Sequence, residues 1–155
     1  MLEIRSAFPS FSLVDQEERL VRLADLKGRP AVIYFYPKDD TPGCTAEACD
    51  FRDRMQTFEG VSVLGVSPDT AASHRKFAAK FGLTFPLLAD TGHLLAEACG
   101  VWVEKSLYGR TYMGVERTTF LLDPDGLVAR IWRKVKPEGH AAEVAEALRE
   151  IESPA

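Results

Sequence analysis

The sequence predicts an α/β sandwich, a mixed central sheet flanked by helices, and three observations carry that prediction. First, Ala31-Val32-Ile33-Tyr34-Phe35-Tyr36 is an unbroken apolar run ended by Pro37, and Val61–Ser67 reads as another buried strand. Runs of this length without alternation read as strands covered on both faces. Second, a segment with apolar residues at helical spacing follows each run. Third, Thr118–Leu122 and Leu127–Trp132 flank Asp123-Pro124-Asp125-Gly126, a strong turn signal, so a hairpin precedes the last helix.

The remaining elements follow in order. Phe11, Leu13, Leu20, Val21 and Leu23 around the polar stretch 15–19 predict a short N-terminal hairpin extension. After the loop 37–43, a helix is expected from Cys44 to Phe58, with Ala48, Phe51, Met55 and Phe58 on its buried face. Residues 70–81 read as a helix stopped by Gly82, 85–88 as a short strand, and 93–99 as a short helix capped by Gly100. A last helix is expected over 138–151. No repeat, low-complexity tract or linker interrupts the chain, and 155 residues suit one domain spanning 1–155.

Composition narrows the function. A net charge of -4 gives no basic footprint for nucleic acid. No apolar stretch is long enough to span a bilayer, so no membrane partner is expected. The N-terminus shows neither a basic nor an apolar leader region. Three cysteines make an odd, low number that argues against a disulfide scaffold and for a reducing, cytoplasmic setting.

The most informative run is Pro37-Lys38-Asp39-Asp40-Thr41-Pro42-Gly43-Cys44-Thr45-Ala46-Glu47-Ala48-Cys49. It follows the first buried strand, where α/β sheets place their sites. Cys44 falls at the start of a helix, whose unpaired N–H groups favour thiolate over thiol. Cys49 lies about 140° round the helix, off the apolar stripe, and is a candidate partner thiol. Residues five apart in an intact helix have Cα atoms about 8.6 Å apart. A disulfide rarely bridges more than about 7 Å. Joining the two sulfurs therefore requires the helix start to unwind. Cys99, beside Ala98 and before Gly100, reads as a buried structural cysteine.

Other sulfur chemistries fit less well. His74, His93 and His140 are scattered and in contexts that look exposed, which disfavours a metal site or a Cys-His hydrolase. The cysteine spacing is not C-x-x-C. The sixth residue after Cys44 is Asp50, an anion where a cysteine phosphatase needs arginine. A general thiol–disulfide exchanger and a redox-sensing or chaperone-like module stay open on these residues alone.

Pro37-x-x-x-Thr41-x-x-Cys44 resembles the active-site signature of the peroxiredoxins. The longer form, Thr41-Pro42-Gly43-Cys44-Thr45-x-Glu47-x-Cys49, resembles the bacterioferritin comigratory protein, or peroxiredoxin Q, subfamily. Pro9, the segment 11–14, Asp25-Leu26-Lys27-Gly28, Val66-Ser67-Pro68-Asp69, 85–90 and 116–123 also fit, so the resemblance covers nearly the whole chain. Cys99 departs from it, standing where the family often has tyrosine. The resemblance implies a thioredoxin-like fold and a thiol-dependent peroxidase for hydrogen peroxide and alkyl hydroperoxides. It implies Cys44 as the peroxidatic cysteine, Cys49 as the resolving one, and recycling by thioredoxin or a similar dithiol. Thr41 would bond the thiolate and the peroxide, Pro42 would shield the sulfur from water, Arg117 would activate the thiolate and hold the peroxide, and Glu47 would orient Arg117. No metal or other cofactor is expected, and the chain is expected to be a monomer or weak homodimer.

Overall fold

A computed structural model describes residues 2–152. Its centre is a five-stranded sheet. Strands β3 (Ala31–Phe35), β4 (Ser62–Ser67) and β5 (Leu87–Ala89) run parallel, and β8 (Thr118–Leu122) and β9 (Val128–Trp132) join antiparallel beside β3. Across the sheet the order is β5-β4-β3-β8-β9. The sheet is mixed, as the sequence predicts. β3 and β8 are buried along their whole length, which explains the unbroken apolar run of β3.

Alternation along β3 divides the core. Val32 and Tyr34, with Tyr36 just beyond the strand, pack under helices α1 (Pro42–Asp53), α2 (Ala71–Phe81) and α4 (His140–Glu152) through Phe51, Phe77, Val144 and Leu148. Ala31, Ile33 and Phe35 face the other layer, with Phe8, Phe11, Phe120 and α3 (Leu94–Ala98). Phe51 stacks on Tyr34 at 4.9 Å between ring centroids, which fixes α1 against the sheet directly behind Cys44.

The N-terminal hairpin forms from β1 (Ser12–Val14) and β2 (Leu20–Arg22), and a 3-10 turn over Leu23–Leu26 follows it. The terminal hairpin turns where expected: Gly126 has φ +85°, and the Asp123 carboxylate accepts the N–H groups of Asp125 and Leu127.

Three expectations need correction. Helix α1 starts at Pro42, two residues earlier than Cys44, because Pro at the first helical position has its φ already set. It ends at Asp53 rather than Phe58; Met55 and Phe58 continue the apolar stripe from turns that still face the core. The stretch after Val101, for which the sequence predicts no strands, is a two-stranded hairpin of β6 (Trp102–Leu107) and β7 (Arg110–Val115). It turns through Tyr108 and Gly109, both at positive φ, and is tied to the body where Trp102 stacks on His93 at 4.0 Å. Among the described residues no helix is long and apolar enough to cross a membrane.

Candidate active site

The topology brings Cys44 and Arg117 together across 73 positions of sequence. Phe35, the last residue of β3, pairs with Thr118, the first of β8. The chain leaving β3 enters the loop that starts α1, and the residue before β8 is Arg117, so both converge at one sheet end. The Arg117 carbonyl accepts the Val135 N–H at 2.9 Å, which anchors its backbone there.

Cys44 is the third residue of α1 and only 1% exposed, on the same buried face as Ala48 and Phe51. Arg117 Nη2 lies 3.3 Å from its Sγ, and Nη1 lies 2.7 Å from Glu47 Oε1. One guanidinium thus bridges the sulfur and a carboxylate one turn along the same helix. Glu47 is also 1% exposed, and its second oxygen has no hydrogen-bond partner. Burial outweighs the attraction of Arg117 and pushes the Glu47 carboxyl up to about 7. Burial alone would lower Arg117, but Glu47 and Cys44 together hold it above the ordinary value.

Thr41 is the N-cap residue of α1, but its side chain makes no capping bond. Its hydroxyl donates to the Lys38 carbonyl at 2.9 Å rather than to the Cys44 sulfur. This corrects the expected thiolate contact: the hydroxyl's proton is used within the turn. Pro42 is exposed at the first helical position. Cys49 is half-buried on the flank of α1, and all three cysteines are free thiols. Cys44 and Cys49 both lie inside one continuous helix, in keeping with the spacing that forbids their joining there.

Cys99 is fully buried, as expected. The histidines are not all exposed: His74 and His140 are buried, and only His93 is partly open. His140 Nε2 meets the Thr119 hydroxyl at 2.8 Å, and burial pushes the ring below its ordinary value. Asp39, Asp69 and His74 offer ligand atoms within 4.8 Å of one another, but hydrogen bonds within the protein engage all three.

Two contributors are not assigned a role from the sequence. A Cβ on Gly43 would sit 3.1 Å from Arg117 Nη2, so glycine is what lets the guanidinium approach the helix start. Lys105, on β6, lies close enough for its ammonium to feel Arg117 and Cys44; burial, then Arg117, lowers it. Gly43 lies in the motif, but neither role is readable there, because both depend on contacts across the fold.

Comparison with known proteins settles the class. The AhpC/TSA family model matches residues 4–131. The chain belongs to the AhpC/TSA family. It is 47% identical over 152 residues to peroxiredoxin Bcp of Bacillus subtilis, covering 97% of each chain. A solved structure of Xanthomonas campestris bacterioferritin comigratory protein is 43% identical, with TM-score 0.88 and 97% of each chain covered. A cysteine-to-serine mutant of Xylella fastidiosa PrxQ is 36% identical, with TM-score 0.93 and 99% of each chain covered. The chain is thus a peroxiredoxin of the Bcp, or peroxiredoxin Q, group, with the thioredoxin-like fold and the thiol peroxidase activity of that class.

Proposed function

We propose that Cys44 is the peroxidatic nucleophile, that Cys49 resolves it, and that a thioredoxin-like dithiol restores both. The observation that carries this reading is the 3.3 Å contact from Arg117 to a sulfur in the first turn of α1. The Cys44 thiolate attacks one peroxide oxygen. An S–O bond forms, the O–O bond breaks, and hydroxide or alkoxide leaves and takes a proton. Negative charge passes from sulfur to the leaving oxygen. Arg117 and the first-turn N–H groups are the donors that stabilise it as it moves. Glu47 holds the guanidinium in place from below. Thr41, its hydroxyl already donating to the Lys38 carbonyl, accepts the peroxide O–H, and Pro42 screens the sulfur from water.

The product is a sulfenic acid on Cys44. The first turns of α1 then unwind, the Cys49 thiol displaces water from that sulfur, and a disulfide forms. Exchange with an external dithiol returns both thiols. Hydrogen peroxide and alkyl hydroperoxides are the proposed substrates; the Xanthomonas campestris bacterioferritin comigratory protein has alkyl peroxide reduction activity. One domain spans 1–155 and acts in the cytoplasm as a monomer or weak homodimer, with no cofactor. Stopped-flow mixing with peroxide tests the reading: wild type consumes it in a saturable thiol-dependent cycle, and an exchanger that forms no sulfenate would refute it.

A further inference from the structure

A network of buried polar groups beside the site has no part in the chemistry above. His74, on α2, is fully buried. Its Nε2 lies 3.0 Å from the Leu88 carbonyl, which can only accept, so Nε2 carries a proton. Its Nδ1 lies 2.7 Å from Asp39 Oδ2. Two lone pairs cannot face each other there, so a second proton lies between them. The Tyr36 hydroxyl donates to Asp39 Oδ1 at 2.6 Å and the Ser73 hydroxyl to Oδ2 at 2.8 Å. Two hydroxyl donors on the Asp39 carboxylate favour its anion, with the shared proton on the ring.

Asp39 also belongs to the turn before Cys44, where its backbone is held by other groups. The peptide unit between Lys38 and Asp39 is held at both ends. Its N–H donates to Asp69 Oδ2 at 2.8 Å, and its C=O accepts the Thr41 hydroxyl at 2.9 Å. Asp69 is itself held by the Ser67 hydroxyl at 2.7 Å. Rotating that peptide plane would free the Thr41 proton to point elsewhere.

We propose that Asp39 and His74 are positioning residues, a buried ion pair that fixes residue 39 by its side chain while Asp69 holds its N–H, and so keeps the Thr41 hydroxyl presented to peroxide as an acceptor. This rests on the peroxidase reading of the site. The pair acts only through Thr41, so its loss and the loss of the hydroxyl should not add.

The test is a double-mutant cycle in the full chain carrying Cys49→Ser, read as the second-order rate of Cys44 sulfenate formation per folded molecule. Asp39→Asn is expected to slow the reaction about tenfold. In a Thr41→Val background the same change is expected to alter the rate by less than about twofold. Equal losses in both backgrounds, or no loss in the first, would overturn the proposal. A parent protein that forms no sulfenate would overturn the peroxidase reading instead. Where Asp39→Asn does not fold, nitrogen NMR of wild-type His74 decides: both ring nitrogens protonated is expected, and one protonated nitrogen would overturn the ion pair.

Discussion

Cys44 and Cys99 are equally hidden from solvent, at 1% and 0% exposure, but they sit in opposite electrical settings. Cys44 occupies the first turn of α1 with a guanidinium 3.3 Å away. Cys99 is the C-cap of α3, at the negative end of a helix. Burial, and then the Asp90 carboxylate, push its thiol well above the ordinary value. On the proposed roles, burial alone does not distinguish the two sulfurs; the charges facing each one do, and those are set by which end of a helix the cysteine occupies and which chain segment arrives opposite.

The largest break in that comparison is Arg117→Ala, which makes the surroundings of Cys44 more like those of Cys99. The rate of peroxide reaction is expected to fall about 10²–10³-fold, as for loss of an oxyanion donor, read by stopped-flow at saturating reductant. Gly43→Ala tests the same contact without touching the cation. The new Cβ would stand 3.1 Å from Nη2 and displace it by a few tenths of an ångström. A loss of about tenfold is expected, and an unchanged rate would show that the contact does not control reactivity.

Glu47→Gln sharpens the comparison through stability. The folded carboxyl titrates at about 7 against an ordinary value of 4.5. Below the ordinary value both states hold the proton. Between the two values the folded state keeps a proton that the unfolded state has released, so this group's contribution to stability falls as pH rises through that window. Urea unfolding from pH 4 to 8 should show wild type losing stability relative to Glu47→Gln across that range, while the variant reacts more slowly with peroxide. A pH-independent difference would contradict the buried-carboxyl account. The smallest effect belongs to Cys99→Ala: the peroxide rate should stay within about twofold, with about 1 kcal/mol lost from packing, measured by thermal unfolding.

The parts of this design that are legible in the sequence are those that local chemistry dictates. The apolar runs of β3 and β4, the Asp-Pro-Asp-Gly turn and the stripe through Ala48 and Phe51 each satisfy a local rule. The β6–β7 hairpin does not: its strands are largely exposed, so no hydrophobic period marks them, and Tyr108 is an unusual residue for positive φ. Pro42 is compatible with both a loop end and a first helical position, so the early start of α1 is ambiguous until the turn around it is seen. His74 and His140 look exposed in sequence because a buried histidine is recognised by its partners, and Asp39, Leu88 and Thr119 lie 35, 14 and 21 positions away. Arg117 is a lone arginine before a strand until the β3–β8 register places it over Cys44.

Mass spectrometry of all three thiols after one equivalent of peroxide, in wild type and in Cys49→Ser, tests the roles proposed for Cys44 and Cys49. The expected products are a Cys44–Cys49 disulfide in wild type, a sulfenic acid (or its trapped adduct) at Cys44 alone in the variant, and an unmodified Cys99 in both. A sulfenic acid at Cys49 or Cys99, or a Cys44–Cys99 disulfide in wild type, would contradict those roles.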